Sequence, residues 1–425
     1  NRKAKSHADP GKVILPPYYP NHPELRQDWA KYLDSWVETD KEIGRILADL
    51  EKAGRLDSTA FFLWTDHGVS HLRGKQFLYE EGLRVPMIIR LPGKQRAGTV
   101  RDDLIEHIDV AACSLKLAGI KIPQNVQGRD FLAADYKPRE YIFAGRDRCD
   151  ETVDILRCVR DSRYKYIRNF MSHLPHAQPS QYKDGKKIVQ VIRSLHKEGK
   201  LNEQQARPFA HHRPPEELYD LHSDPHELVN LAGMPKHQKK LATMRKALSQ
   251  RMMETRDVGL IPEPILEDLG REAGNKYLAF LDNDHNGQTR RLIDVIAAGE
   301  ANESANLLEY AKSPDPSTRY WAAVWLGVNK RAEGKTTLLE LTADPVPAIR
   351  VAAAQALCKL GDLSQLKLLI GHINDPNLLV GMFALRATEE LGDAGKVHRA
   401  DVAAAQKSNY EFSRRIARRL TVKWR

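Results

Sequence analysis

Thr59 to Pro86, TAFFLWTDHGVSHLRGKQFLYEEGLRVP, joins a strand pattern directly to groups able to hold a cation and an anion. Ala60 to Trp64 is an unbroken apolar and aromatic run, too short for a buried helix, and it reads as a parallel strand covered on both faces. Asp66, His67 and Gly68 fall at its carboxyl end, the edge where open α/β sheets bind ligands. A carboxylate and an imidazole arriving together there suggest a metal site, although Asp-His-Gly is also an ordinary strand-to-turn sequence. Lys75 follows nine residues after Asp66 in a loop containing Gly68 and Gly74, and an ammonium held there can neutralise an anionic substrate group.

The longer pattern is more specific. TDHG, GK, YEEGLRVP and IIRLPG stand in the order and approximate spacing of the sulfatases, so this region resembles that family of the alkaline phosphatase superfamily, heparan N-sulfatases and arylsulfatases included. The resemblance implies that Asp66 and His67 bind an active-site calcium and that Lys75 contacts the substrate sulfate. It also implies a formylglycine nucleophile made from a C/S-x-P/A-x-R motif, and an early pair of Asp residues that completes the calcium site. None of Cys113, Cys149, Cys158 and Cys358 is followed by the required Pro or Ala and Arg. The expectation is a sulfuric ester or sulfamate hydrolase represented here, from residue 1 to about 235, by the second part of its domain, with no turnover by this chain alone.

At 425 residues the chain has room for two or three domains with real cores. Its apolar fraction is 41%, no apolar run approaches a membrane span, and the first residues, NRKAKSHADPGK, contain neither a signal core nor an initiator Met. The expectation is that the chain begins part-way through a longer product. Lys and Arg number 66 against 56 Asp and Glu, a net charge of +10 that favours polyanions without separating nucleic acid from sulfated glycan or phosphate ligands. The resemblance points to a sulfated small molecule or glycan rather than nucleic acid, and to a periplasmic or extracellular location. The four cysteines show no paired spacing, so neither zinc nor a disulfide framework is expected.

VILPPYYP at 13–20 is an extended crossing segment, and the apolar spacing from Pro23 to Ala53 predicts a long amphipathic helix closed by Gly54. Val85 to Leu91 reads as a second buried strand, and His107 to Leu117 as a helix in which His107 and Asp109 are structural polar groups. From about Pro123 short β segments follow: Tyr141–Gly145, Ile155–Asp161 and Arg163–Asn169, the last two alternating apolar and charged residues as a hairpin with one wet face. GRDRCDE at 145–151 makes Arg146 and Arg148 candidates for anionic groups on a sugar, or else a self-compensating charged turn. Met171 to Pro215 reads as a surface insertion with a helix near Ile188 to Lys200. ELYDLHSDPHELVNLA at 217–232 resembles the end of the sulfatase C-terminal subdomain, as a strand, a turn at Asp224-Pro225 and a helix start.

Beyond residue 300, three units open at Asp315, Asp344 and Asp375, each followed by an Ala-rich apolar face. This periodicity resembles HEAT repeats, with Arg319 and Arg350 as braces within their units and the basic tail FSRRIARRLTVKWR as a cap. The fold expected is α/β: the C-terminal part of an alkaline-phosphatase-like mixed-sheet domain (1–120), then a small antiparallel α+β subdomain (121–235). A helical connector (236–270) and an all-α HEAT-like region (271–425) able to bind a protein partner follow. Two alternatives stay open: a phosphatase or phosphodiesterase of the same superfamily, and a non-enzymatic HEAT-repeat binding protein.

Overall fold

The computed structural model describes residues 5, 7–281 and 285–424, which form two compact units. The first comprises residues 1–146, 156–168 and 175–245 and the second 147–155, 169–174 and 246–425. In the first, α1 (Pro23–Lys52) starts on the His22 side chain with Pro at its first position, where a missing amide costs nothing. Gly54, at φ 66°, then turns the chain towards β1 (Phe61–Trp64). β1 pairs antiparallel with β2 (Met87–Arg90), Phe61 opposite Arg90 and Trp64 opposite Met87. The parallel, doubly covered reading of β1 is thus corrected. Two strands cannot cover two apolar faces, and Trp64 is 39% and Ile88 63% exposed. The apolar stripe of α1 is likewise open at Leu33, Val37 and Ile46.

Helix α2 (His107–Leu117) has the predicted limits. Its Asp109 is fully buried, accepts both Arg139 Nη atoms at 2.6 Å and takes the Glu106 and Arg129 amides, so it is structural as expected. Four strands follow in the order β3 (Ile142–Arg146), β4 (Leu156–Arg160), β5 (Tyr164–Asn169) and β6 (Glu216–Asp220), matching the predicted segments. The β4–β5 hairpin has no wet face: Arg157, Lys165 and Arg168 are all buried. Lys165, with no exposed surface, lies 2.7 Å from Glu80 Oε1 and 2.9 Å from Glu227 Oε1. Charge alternation here marks an internal ionic layer whose acidic partners come from YEEG and DPHE.

Residues 171–215 are not a surface insertion either. Helix α3 (Lys187–Lys197) buries Ile188, Val189, Val191 and Ile192 in the same core as Leu25, Phe77, Tyr79, Leu156 and Ile167. After β6, no helix starts at Glu227. Asp224 Oδ2 accepts the Leu228 and Val229 amides at 2.7 and 2.8 Å, and Asn230 folds back to bond Leu218 N and Glu216 O.

In the second unit the repeats are helical hairpins, with α4 (Pro316–Val328), α5 (Pro347–Lys359) and α6 (Leu378–Glu390) as the buried members. Asp315 caps α4. Arg319 does not act only within its unit: besides the Ser313 and Pro314 carbonyls it grips Asp344 of the next unit at 2.8 and 3.1 Å. Arg350 repeats the carbonyl contacts, on Asp344 and Pro345, but its side-chain partner His372 precedes Asp375, so Arg350 braces its own unit as expected. Helix α7 (Glu411–Lys423) buries Ile416, Ala417 and Leu420, while Arg415 and Arg419 lie 3.3 and 3.2 Å from the buried Glu151. Two of its basic residues are thus neutralised internally while Arg418 and Lys423 stay exposed, leaving the polar outer surface that a cap presents.

Candidate functional site

The loop after β1 is held by close backbone approach. Gly68 N donates to Gly82 O at 3.0 Å, and a Cβ on Gly68 would stand 1.7 Å from the Glu81 carbonyl oxygen. TDHG and YEEG are thus two halves of one junction, and the glycines are what let them meet. Arg73 and Gln76 sit at φ 71° and 78°, a conformation held by contacts from several directions. The buried Arg73 guanidinium lies 3.8 Å from the centre of the Tyr79 ring and bonds the His226 and Glu227 carbonyls at 3.2 Å. Glu227 in turn accepts the Glu80 amide at 2.6 Å, so the DPHE segment locks the loop. From the other side the buried Lys183 ammonium donates to the His71 and Lys75 carbonyls at 2.8 and 2.7 Å.

This scaffold borders a cavity of about 930 Å³ whose walls include Asp66, His67, Ser70, His71, Glu81, Lys186 and Glu227. Asp66 is largely exposed, with Oδ2 3.5 Å from His67 Nε2, and His67 Nδ1 lies 2.7 Å from the Gly68 carbonyl, so Nε2 is the ring nitrogen turned towards Asp66. His71 is buried among Trp29, Tyr32 and Tyr19, with Nε2 2.6 Å from Asp28. Burial pushes the Glu81 carboxyl up to about 7, although Tyr18, Arg73, Tyr19 and Lys183 all favour its charged form.

Asp66 and His67 are therefore together, in the cavity wall. Lys75 is not in that wall: its Nζ lies 5.2 Å from the centre of the Tyr182 ring, whose hydroxyl shares a 2.8 Å hydrogen bond with Ser70. Arg146 is buried with its guanidinium 5.7 Å from the Phe77 ring centre, outside the cavity lining. Arg148 is committed to Glu263 through two guanidinium nitrogens and to the Asp150 carbonyl at 2.6 Å. Its ion-pair partner Glu263 lies outside GRDRCDE, so at Arg148 the charge is not compensated within the turn. Ser70, Tyr182, Lys183 and Lys186 escaped the sequence reading; the signal was KDGKK ahead of an apolar helix, inside the segment read as an insertion.

Two donors do not make a calcium site. Calcium takes six to eight oxygen ligands, and among the described residues no group of three or more His, Cys, Asp or Glu side chains is placed to hold a metal ion. Cys113, Cys158 and Cys358 are poor nucleophiles: burial pushes the Cys158 thiol up to about 12 and those of Cys113 and Cys358 up to about 11. Among the described residues no helix is long and apolar enough to cross a membrane.

Comparison with known proteins agrees with this layout. Residues 4–120 match the sulfatase family model, residues 67–198 the model of the N-sulphoglucosamine sulphohydrolase C-terminal region, and residues 304–395 that of HEAT repeats. An ulvan-active sulfatase of Formosa agariphila is 39% identical over 253 residues, 59% of this chain and 42% of that protein. Human N-sulphoglucosamine sulphohydrolase is 24% identical over 274 residues, 61% of this chain and 55% of that one. A solved 2-O GAG sulfatase aligns with a TM-score of 0.40 at 23% identity, covering 57% of this chain and 46% of its own. The chain spans about half the length of the curated relatives it matches. The part that holds the TDHG loop packed on the YEEG turn is therefore the part that matches the sulfatase models, and the residues that match HEAT repeats follow it.

Proposed function

We propose that the protein hydrolyses a sulfuric ester or sulfamate on a sulfated carbohydrate, and that this chain supplies one edge of the active site. The observation that carries the reading is the placement of Asp66 and His67 in the wall of a cavity flanked by lysines, on a loop braced by Lys183, Arg73 and Glu227. Relatives named for ulvan and for N-sulphoglucosamine support a carbohydrate substrate. In this reading Asp66 and His67 are two of the donors to a calcium ion whose remaining ligands lie outside the described residues. A formylglycine, likewise absent from this chain's cysteine contexts, supplies the nucleophile. Lys75 holds the reacting sulfate and opposes the negative charge that grows as the sulfur–oxygen bond breaks. The substrate and the family point to a periplasmic or extracellular setting.

The chain by itself is then inactive on aryl sulfates with added calcium, whereas the complete gene product turns them over. Lys75→Ala in the complete product lowers turnover roughly a hundredfold or more, the effect of removing one preorganised donor of positive charge. Near-normal turnover in that variant, or turnover by the isolated chain above a heat-killed control, overturns the reading.

A further inference from the structure

At one edge of the cavity, and just outside it, two ammonium groups have no carboxylate partner among the described residues. Lys186 Nζ donates to the Ser70 carbonyl and, at 2.6 Å, to Ser70 Oγ, and it lies 4.7 Å from the Tyr182 ring centre. Lys75 Nζ is 5.2 Å from the same ring. Among the described residues, no carboxylate lies within ion-pairing distance of either ammonium, whereas their neighbour Lys187 is paired with Glu24 at 3.2 Å. Lys186 also stands at the N-cap of α3, whose first turn holds no acidic residue, so the helix adds to the positive field there instead of opposing it. Partial burial raises the Tyr182 phenol, yet the Ser70 contact and the Lys186 and Lys75 charges outweigh it and hold the group below the ordinary tyrosine value. Two uncompensated ammonium groups beside a hydroxyl pair are unfavourable by themselves and favourable once an anion lies between water and them.

Ser70 and Lys186 line the same cavity as Asp66 and His67. We propose that Lys186, Ser70 and Tyr182 form a subsite for a second anionic substituent, a sulfate or carboxylate, on the carbohydrate whose reacting sulfate meets Lys75. The identity of the reacting end rests on the function proposed above; anion binding at Lys186 does not. The subsite selects polyanionic sugars over singly sulfated ones, because each further charge-assisted contact is made only by the second group.

Calorimetric titration of the full chain with inorganic sulfate tests the anion site. Lys186→Gln is expected to weaken binding about tenfold, Lys186→Arg to retain it, and Lys200→Gln, an exposed lysine paired with Glu198 at 2.8 Å, to leave it unchanged. Equal losses in the Lys186 and Lys200 variants, or no saturable binding by the parent, overturn the proposal. The second arm compares glucosamine carrying one sulfate with glucosamine carrying two. The parent is expected to prefer the disulfated sugar and Lys186→Gln to lose that preference; a preference unchanged in the variant overturns the subsite even if inorganic sulfate still binds. Failure of the active-site reading looks different, since it appears as normal turnover in Lys75→Ala while sulfate binding still depends on Lys186.

Discussion

Replacing Lys165 by Met leaves Glu80 and Glu227 facing each other in a site closed to water. The ammonium lies 2.7 and 2.9 Å from the two carboxylates, in ionic contact without hydrogen-bond alignment. Glu80 keeps a second cation, Arg160 at 3.1 Å, but among the described residues Glu227 has no other ion-pair partner. Burial already raises the Glu227 carboxyl, with Lys165 the strongest influence holding it down. Removing one member of a buried pair costs about 3 to 5 kcal/mol, and the lower end applies here because Glu227 can take up a proton. About 3 kcal/mol is roughly a hundredfold in the opening equilibrium, so amides of β4 and β5 should exchange roughly a hundredfold faster in hydrogen-exchange mass spectrometry of the full chain. The loss should shrink as pH falls, because burial raises the Glu227 carboxyl and favours its neutral form, and most of it should return in the double variant Lys165→Met/Glu227→Gln, which removes both charges. Exchange within a few-fold of the parent at neutral pH, or no recovery in the double variant, refutes the view that this layer is what holds β5 to the DPHE and YEEG segments.

Gly68→Ala should lower the melting temperature and loosen the cavity wall, at a cost of about 1 to 3 kcal/mol, because its Cβ meets the Glu81 carbonyl at 1.7 Å; an unchanged thermal transition contradicts the close approach. Glu81, at about 7 in the folded chain against an ordinary 4.5, keeps a proton that the unfolded chain releases between those values, so it makes stability fall as pH rises from about 4.5 to about 7 and stay level above. Denaturation of Glu81→Gln across that window should show a smaller decline than the parent, and an equal decline would remove the burial argument. Arg319→Ala should cost the repeat unit about 2 to 3 kcal/mol by helical circular dichroism, whereas Lys335→Ala, half-exposed and 3.7 Å from Asp362, should cost about 0.5 at most; equal effects would deny Arg319 its bracing role.

What the sequence made legible were the local elements and the repeats. The 3.6-residue period and Gly54 marked α1, Asp161-Ser162 between two alternating runs marked the β4–β5 hairpin, and the recurring Asp openings marked α4 to α6. Period reports that a face is apolar and is silent on what covers it, which is why Leu33, Val37 and Ile88 are open despite a buried-core pattern. Alternation likewise distinguishes charged from apolar without saying whether a charge meets water or a distant carboxylate, so the wet face expected of the hairpin is instead a buried one at Lys165. The candidate site was legible at Asp66 and His67, neighbours in sequence at a strand end. It was not legible at Lys186 or Tyr182, which reach Ser70 only through the packing of α3 into the core.

Four lysines within this unit show how the same residue type is sorted by what satisfies it. Lys165 is enclosed by two carboxylates, a pairing that fixes strand β5 and leaves the charge nothing further to attract. Lys183 is spent on two main-chain carbonyls, which makes it a brace for the loop carrying Lys75. Lys75 and Lys186 have a ring face and, for Lys186, a serine: partners that shelter an ammonium without neutralising it. Electrostatic work on a substrate requires that last condition, because a cation already matched by a buried carboxylate gains little when an anion arrives, while an unmatched one gains the full interaction. The roles proposed for Lys75 and Lys186 meet that condition, whereas Lys165 and Lys183, already matched by carboxylates and carbonyls, serve the fold.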